Sequence, residues 1–517
     1  MKRLQMHVKS YQSDFSRNGQ VHIKDIIATH SKFEPLLHRQ ARQQMLDIDA
    51  LTYCCFRLPR QVFFSASIHI ASSRKDAPLV ETRARRACWQ QDPLTIIARS
   101  WSDIHDVVSN CTVLQVEWNK IHRMLARLEG ELSWDAASQA LGIDEDAMVR
   151  LDLALHRDSL TILEEIRKTH RDTTLVLDPS IIKSNEPFEA LTTRFAEQVA
   201  RTLEGQGLEK RNILLISSNM HSIANQLSGF AFSIENRLVS FIHETKDPML
   251  LELLDQVTNR RVRQSSKRDF LYYVSKKYIA HHKLYDERLA WEENCGITTC
   301  QDLTGANVSF QVMDPAKLID RRLDRRLLEA FWNIPPKKLA EYAIVNIDYP
   351  FGLQARYMLD ALMQRLRVTD VFVLGKAGGF KGEVGDHMVP ARIIDDSDDN
   401  EQDRQVSNLI EDKHFTGGVY QQRFLGVTGI SSKGTIIMNR LYLEASALKD
   451  ISFVEMEAGP FLAALRKHGR SEAGMIYYLS DLPLAGATLV QNLSFSGAHA
   501  TYSASAALLN CLFSRMA

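Results

Sequence analysis

Cysteine is scarce in this chain. Seven residues, Cys54, Cys55, Cys88, Cys111, Cys295, Cys300 and Cys511, are spread over 517 positions. An odd number at such spacing is no disulfide framework and suits a reducing compartment, so a cytoplasmic protein is expected. No run reaches the roughly 18 apolar residues that a bilayer-crossing helix needs, and no membrane partner is expected. The opening MKRLQMHVKSYQSDF has three basic residues with no apolar core behind them, unlike a secretory leader. Net charge is missing as well: 63 Lys and Arg balance 63 Asp and Glu. The whole chain therefore offers no general attraction to a nucleic-acid backbone, and the basic clusters at Arg85–Arg86, 260–267 and 321–326 also read as solvated helix faces or helix ends.

With 45% hydrophobic and 24% charged residues, the composition is that of a globular protein. The length exceeds one ordinary core and predicts two or three domains. Residues 1–150 read as a mainly helical N-terminal domain, since SWSDIHDVVSNCTVLQVEWNKIHRMLARLEG has helical apolar spacing, with a strand or edge hairpin at 60–73. Residues 151–245 read as an α/β segment: Thr173–Asp178 is a strand, EPFEALTTRFAEQVARTLEGQG an amphipathic helix and Asn212–Ser217 a second strand, the order that builds a parallel sheet. Ser217, Ser218, Asn219 and His221 follow that strand, where open sheets place ligands; a helix cap is the competing reading.

Residues 246–335 read as a charged helical insertion or linker. His281 and His282 precede Cys295 and Cys300, but C-x4-C is not a short zinc knuckle and adjacent histidines diverge on a helix, so no metal site is expected. Two prolines at Pro335 and Pro336 mark the next boundary. From 336 to 517 strand and helix alternate: Tyr342–Asn346, helix 353–366, Asp370–Leu374, Gly434–Met438, Ile451–Met456, helix 460–469, Met475–Ser480 and a final helix near 502–513. A central mixed sheet flanked by helices is the α/β architecture this predicts.

Three strand ends carry candidate chemistry. GKAGG, Gly375–Gly379, reads as a glycine turn whose backbone N–H groups, with Lys376, suit phosphate or another anion; Gly378 and Gly379 serving only a tight turn is the alternative. In VEMEAG an extended chain puts Glu455 and Glu457 on one side and Met456 on the other. Glu457 either accepts bonds from paired ribose hydroxyls or caps the helix that Pro460 opens. Asp481, after Ser480 at the end of MIYYLS, either donates a proton to a departing base or caps a short turn.

Taken in order, GKAGGFKGEVGD, VEMEAG and SDLPLAG make the last 180 or so residues resemble the nucleoside phosphorylase and nucleosidase superfamily, and among its members AMP nucleosidase. The resemblance implies hydrolysis of the N-glycosidic bond of a purine nucleotide or nucleoside. Glu457 would hold the ribose hydroxyls, Met456 would pack beneath the sugar, and Asp481 would protonate the purine, with Glu455, Ser480, Gly375, Lys376, Gly378 and Gly379 expected among the substrate-binding residues. Inorganic phosphate as nucleophile would make the protein a phosphorylase instead, and a pocket without turnover would make it a nucleotide sensor. No cofactor is implied, and a homo-oligomer is. Lys376 stands where the superfamily usually has a small or hydroxyl residue; a cation there either binds a substrate's 5'-phosphate or a free phosphate, which favours a nucleotide, or disables phosphate-dependent chemistry by occupying the anion's space. The family's opening strand is absent just before residue 338, and Asn212–Ser222 is expected to supply it across the helical insertion.

Overall fold

The computed structural model describes residues 19–25, 45–48, 51, 60–65, 87–88, 94–155, 158–259, 264–397, 402–416, 421–432, 444, 446–485 and 495–517. They form two sheets with separate apolar cores. The first sheet comprises β1 (Gln20–His22), β2 (Gln61–Ser65), β3 (Ala87–Cys88), β4 (Leu94–Ile97) and β5 (Thr174–Leu177), in the order β1-β5-β2-β4-β3. Helices Trp101–Leu125, Trp134–Leu141, Glu145–Ala154 and Ser159–Lys168 cover it. Their ends follow from sequence: Ser133 and Asp144 accept capping bonds from Ala136 N and Ala147 N, and Gly142 at φ 64° stops the second of these helices.

One expectation is corrected here. Thr174–Leu177 was expected to share a sheet with Asn212–Ser217. It lies instead between β1 and β2, with Leu175 and Leu177 in the first core beside Val62 and Phe64. A four-residue apolar run fixes a strand's inward side, not the sheet that receives it, and here the partners lie more than a hundred residues upstream.

The second sheet is built from β6 (Asn212–Ser217), β7 (Ile297–Cys300), β8 (Phe310–Met313), β9 (Tyr342–Ile347), β10 (Val368–Gly379), β11 (His387–Asp395), β12 (Gln402–Gln405), β13 (Ser407–Asn408), β14 (Arg423–Ser431), β15 (Phe453–Glu455) and β16 (Glu472–Asp481). β6 runs parallel to both β9 and β10, with Ile213 paired to Val368 and Ser217 to Val373. Ile213–Ile216 and Val371–Leu374 therefore belong to one sheet, although the helical insertion separates them in sequence. Strands β10, β16, β11, β14 and β15 also close on themselves, because β10 pairs with both β16 and β15. Closure removes the sheet edge on that side. The 434–438 strand expected from sequence lies outside the described residues.

Helices Glu186–Gly205, Leu353–Arg365 and Ala458–Lys467 pack Phe195, Leu359, Leu362 and Phe461 on one face of this sheet. Helix Phe495–Met516 covers the other, setting Leu508, Leu512 and Phe513 against strand residues such as Leu214 and Phe372. Each such fully buried side chain contributes about 1.5–3 kcal/mol. The insertion has its own small core around Phe241, Phe270 and Tyr272, and Tyr272 stacks on Tyr502 of the last helix at 4.3 Å. Charge locks this junction: the Arg326 guanidinium donates to Asp269 (2.7 Å) and Asp324 (2.9 Å), both carboxylates being fully buried, and Tyr272 and Arg268 also donate to Asp324. His281 and His282 pack their rings against Phe241.

Candidate active site

The site is laid out by one long strand that changes partners. Along its first half β10 pairs with β6, up to Val373; its last two residues, Gly378 and Gly379, pair with Val454 and Phe453 of β15. Between these, Leu374–Ala377 has β16 on one edge and, among the described residues, no strand on the other. The parallel strands β6, β9, β10 and β16 all bring their carboxyl ends to this side, and a change of partner at such ends is where open α/β sheets place ligands.

Gly375–Gly379 is thus strand, not the turn expected from its glycines. The reason is close packing. A Cβ on Gly375 would sit 2.3 Å from Cε1 of Tyr477, one on Gly379 would sit 2.5 Å from Leu479, and one on Gly378 would meet Pro483 at 2.9 Å and Val454 at 3.2 Å. Gly375 lets the Tyr477 ring pack against β10, where the ring also stacks on Phe453 at 5.2 Å. Lys376, alternating to the opposite side of the strand from Gly375, is exposed.

The VEMEAG segment divides its three functional candidates. β15 ends at Glu455 and the helix begins at Ala458, so the chain bends before Glu457, and the shared-side alternation expected for Glu455 and Glu457 does not form. Glu455 is buried and caps the helix: its carboxylate accepts from Glu457 N (2.6 Å), Ala458 N (2.7 Å) and the Ser431 hydroxyl. Ser431 Oγ in turn accepts from Gly459 N at 2.7 Å. Burial pushes the Glu455 carboxyl up to about 7, and the nearby Asp395 charge adds to the rise. Glu457 occupies the N-cap position, yet its own side chain makes no capping bond. Because Glu455 caps the helix, the Glu457 carboxylate is not needed for that purpose. It is half-buried and close enough to Tyr477 that, after burial itself, the Glu455 and Glu457 charges raise the tyrosine's pKa. Met456 is buried between them, its methyl end beside Gly352.

Asp481 terminates β16 directly opposite Gly378, is 2% exposed, and accepts a 2.7 Å hydrogen bond from Ser480 Oγ. Gly378 therefore has Val454 on one side and Asp481 on the other. Glu457 acts electrostatically on Tyr477, whose ring packs on Gly375, and Gly375 and Gly378 are three residue steps apart along the strand, about 10 Å. Both carboxylates thus belong to the neighbourhood of the stretch where β10 changes partners.

The loop after β6 follows the carboxyl end of the strand next to β10. Asn219 Oδ1 accepts from His221 N and Ser222 N, as the capping alternative anticipated. Ser218 Oγ donates to Asn346, Asn346 to Gln311, and Gln311 to Met220 O and Thr299, a buried chain that ties β6, β9, β8 and β7 together. His221 faces Arg288; burial first, then the charges of Arg288 and Lys276, lower its pKa to about 4. Tyr349, after β9, is half-buried beside Asn219 and Tyr478. Sequence reasoning passed over Tyr477, Ser431 and Tyr349. Only the tyrosine pair inside the apolar run MIYYLS was a visible signal, since a phenol in a buried strand needs a polar reason to be there.

Several solved structures share a likeness with part of the chain. One is a putative methylthioadenosine nucleosidase from Weissella paramesenteroides, 14% identical over 34% of this chain and 82% of that one, at a TM-score of 0.29. A second is a 5'-methylthioadenosine/S-adenosylhomocysteine nucleosidase from Colwellia psychrerythraea in complex with adenine, 17% identical over 43% and 87%, also at 0.29. A third is uridine phosphorylase from Schistosoma mansoni in complex with thymidine, 13% identical over 32% and 68%, at 0.25. Likeness at this level fixes neither a substrate nor a reaction. Among curated proteins none matches. Among the described residues no helix is long and apolar enough to cross a membrane, and no group of three or more His, Cys, Asp or Glu side chains is placed to hold a metal ion. A family model does match, from residue 23 to residue 514, and the chain belongs to that family, described as a family of unknown function (DUF6909).

Proposed function

We propose that the region from 336 to 517, completed by β6, hydrolyses the N-glycosidic bond of a purine nucleotide or nucleoside. The observation that carries this reading is that Asp481 ends β16 opposite Gly378 while Glu457 acts on Tyr477, whose ring packs on Gly375, so both carboxylates belong to the neighbourhood where β10 changes partners. In this reading Glu457 accepts hydrogen bonds from the ribose 2'- and 3'-hydroxyls, with Met456 packing against the sugar. Asp481 hands a proton to the purine as its bond to C1' breaks, so the base departs neutral. The positive charge that builds on the sugar then lies near the Glu457 carboxylate, and water adds to C1' with loss of a proton to solvent. Preorganised charge stabilises the transition state here more than a protein nucleophile would. Glu455, by contrast, acts by holding the start of the helix and thereby Glu457.

Lys376 supports a phosphorylated substrate: it is exposed next to the stretch of backbone that β6 and β15 leave uncovered. The same cation supports phosphorolysis as the second reading, with inorganic phosphate in place of water. Incubating the full chain with AMP, adenosine, inosine and guanosine, with and without inorganic phosphate, separates the cases. Free base without phosphate is the expected result. Release only with phosphate selects phosphorolysis, and binding without release selects a nucleotide sensor. No binding and no release from any of the four refutes the proposal. A cytoplasmic homo-oligomer that takes part in purine metabolism accords with this reading.

A further inference from the structure

Ser102 lies in the Trp101–Leu125 helix of the N-terminal region, yet it is only 1% exposed and serves the other half of the molecule. Its hydroxyl oxygen accepts a 2.9 Å hydrogen bond from Leu353 N, the first residue of helix Leu353–Arg365. That helix has Gly352 at its N-cap, so no side chain of its own neighbourhood caps it there, and the acceptor comes from 251 positions upstream. Gly352 adopts φ 53° and ψ −125°, a conformation reserved for glycine. A Cβ on it would lie 2.4 Å from Ser102 Oγ and 3.9 Å from Met456 Cε, so Ser102, the Gly352 turn and the methionine methyl form one contact series.

The serine is itself held firmly. Asp103 accepts from Arg99 N (2.6 Å) and Ser100 N (3.2 Å), fixing the start of the helix, and Trp101 Nε1 donates to Asn185 at 2.7 Å. Tyr357, one turn into the capped helix, packs on the N-terminal core. Methionine is the most adaptable of the apolar side chains, so its position depends on the walls around it.

We infer that the N-terminal region is part of the sugar-binding site, with Ser102 a positioning residue that fixes the Gly352 turn behind Met456. The inference rests on the proposed role of Met456. Without the Ser102 acceptor, the buried Leu353 N–H loses its partner, the turn shifts, and the methionine loses its backing. A contact made equally to substrate and transition state shows in KM, while kcat is retained.

The test compares full-length wild type, Ser102→Ala, Ser102→Cys and Thr112→Val in base release from AMP and adenosine, with thermal melting of each. Thr112 lies in the same helix, is buried, and its hydroxyl donates to Val108 O, so its replacement perturbs the helix away from the contact. Ser102→Ala is expected to raise KM about 5–10-fold, the worth of one buried hydrogen bond, with kcat within about twofold. Ser102→Cys keeps the shape with a weaker acceptor and is expected to show a smaller rise; it carries the test if the alanine variant does not fold. An active wild type with unchanged KM in both Ser102 variants, or the same rise in Thr112→Val, overturns the inference and leaves the proposed reaction standing. A wild type that releases no base overturns the reaction and this inference with it.

Discussion

Replacing Glu455 by glutamine should change how stability depends on pH. Glu455 is buried, and desolvation raises its carboxyl from 4.5 to about 7. The folded state therefore holds this proton over a range where the unfolded chain has lost it. Stability must fall as pH rises from about 4.5 through 7, and the loss is complete above that range. At about 1.4 kcal/mol per unit, the effect is on the order of 3 kcal/mol. Glutamine cannot ionise. Its amide oxygen can still accept from Glu457 N and Ala458 N, and its NH2 group faces Ser431 Oγ as the protonated carboxyl would; that oxygen keeps a second lone pair beside the one that accepts from Gly459 N. Relative to wild type, Glu455→Gln should thus gain on the order of 3 kcal/mol between pH 5 and pH 8. Melting both proteins at pH steps across this range gives the difference directly. Glu292, also raised to about 7 by burial, contributes the same slope to both proteins and drops out of the comparison. A wild-type-minus-variant difference that stays constant from about pH 5 to 8 would show that Glu455 is not protonated in the folded state and that the capping argument has its charge wrong.

Three further outcomes are expected. Asp481→Asn should lower kcat for base release by about 10²–10⁴-fold, with KM changed only a few-fold, as befits a proton donor; parallel losses in both constants would count against that role. Lys376→Ala should raise KM for AMP by about tenfold or more and leave adenosine unaffected, and equal effects on the two substrates would remove the phosphate from its assignment. Arg326→Met should cost about 3–5 kcal/mol in denaturant unfolding, because Asp269 and Asp324 would remain buried without their shared cation. A stability unchanged within error would mean that the carboxylates find other partners.

Much of the C-terminal half was legible because its strands are continuous apolar runs. YAIVN, DVFVL and MIYYLS could hardly be anything but buried strands, and their order fixed an α/β architecture. What the residues around them do was less legible, since it depends on distant partners. Glu455 and Glu457 look interchangeable in VEMEAG, yet Ser431, from another strand, draws one carboxylate into a helix cap. The glycines of GKAGG read as a turn because a sequence does not show the Tyr477 ring against Gly375 or the Pro483 and Leu479 side chains against Gly378 and Gly379. β5 reads as the start of a βαβ unit because local pattern says nothing about β1 and β2. The role of Ser102 had no local sign at all: its partner lies across the domain boundary.

The double allegiance of β10 also constrains how this sequence can evolve. Its two ends are registered against different neighbours, Val373 against Ser217 and Gly378 against Val454, so the number of residues between them is set by the architecture. Losing or gaining one residue there would turn every later side chain of the strand to the opposite face and carry the glycines away from the rings they accommodate. Changes of length should accumulate elsewhere in the chain, while this short interval keeps its count even where its side chains vary.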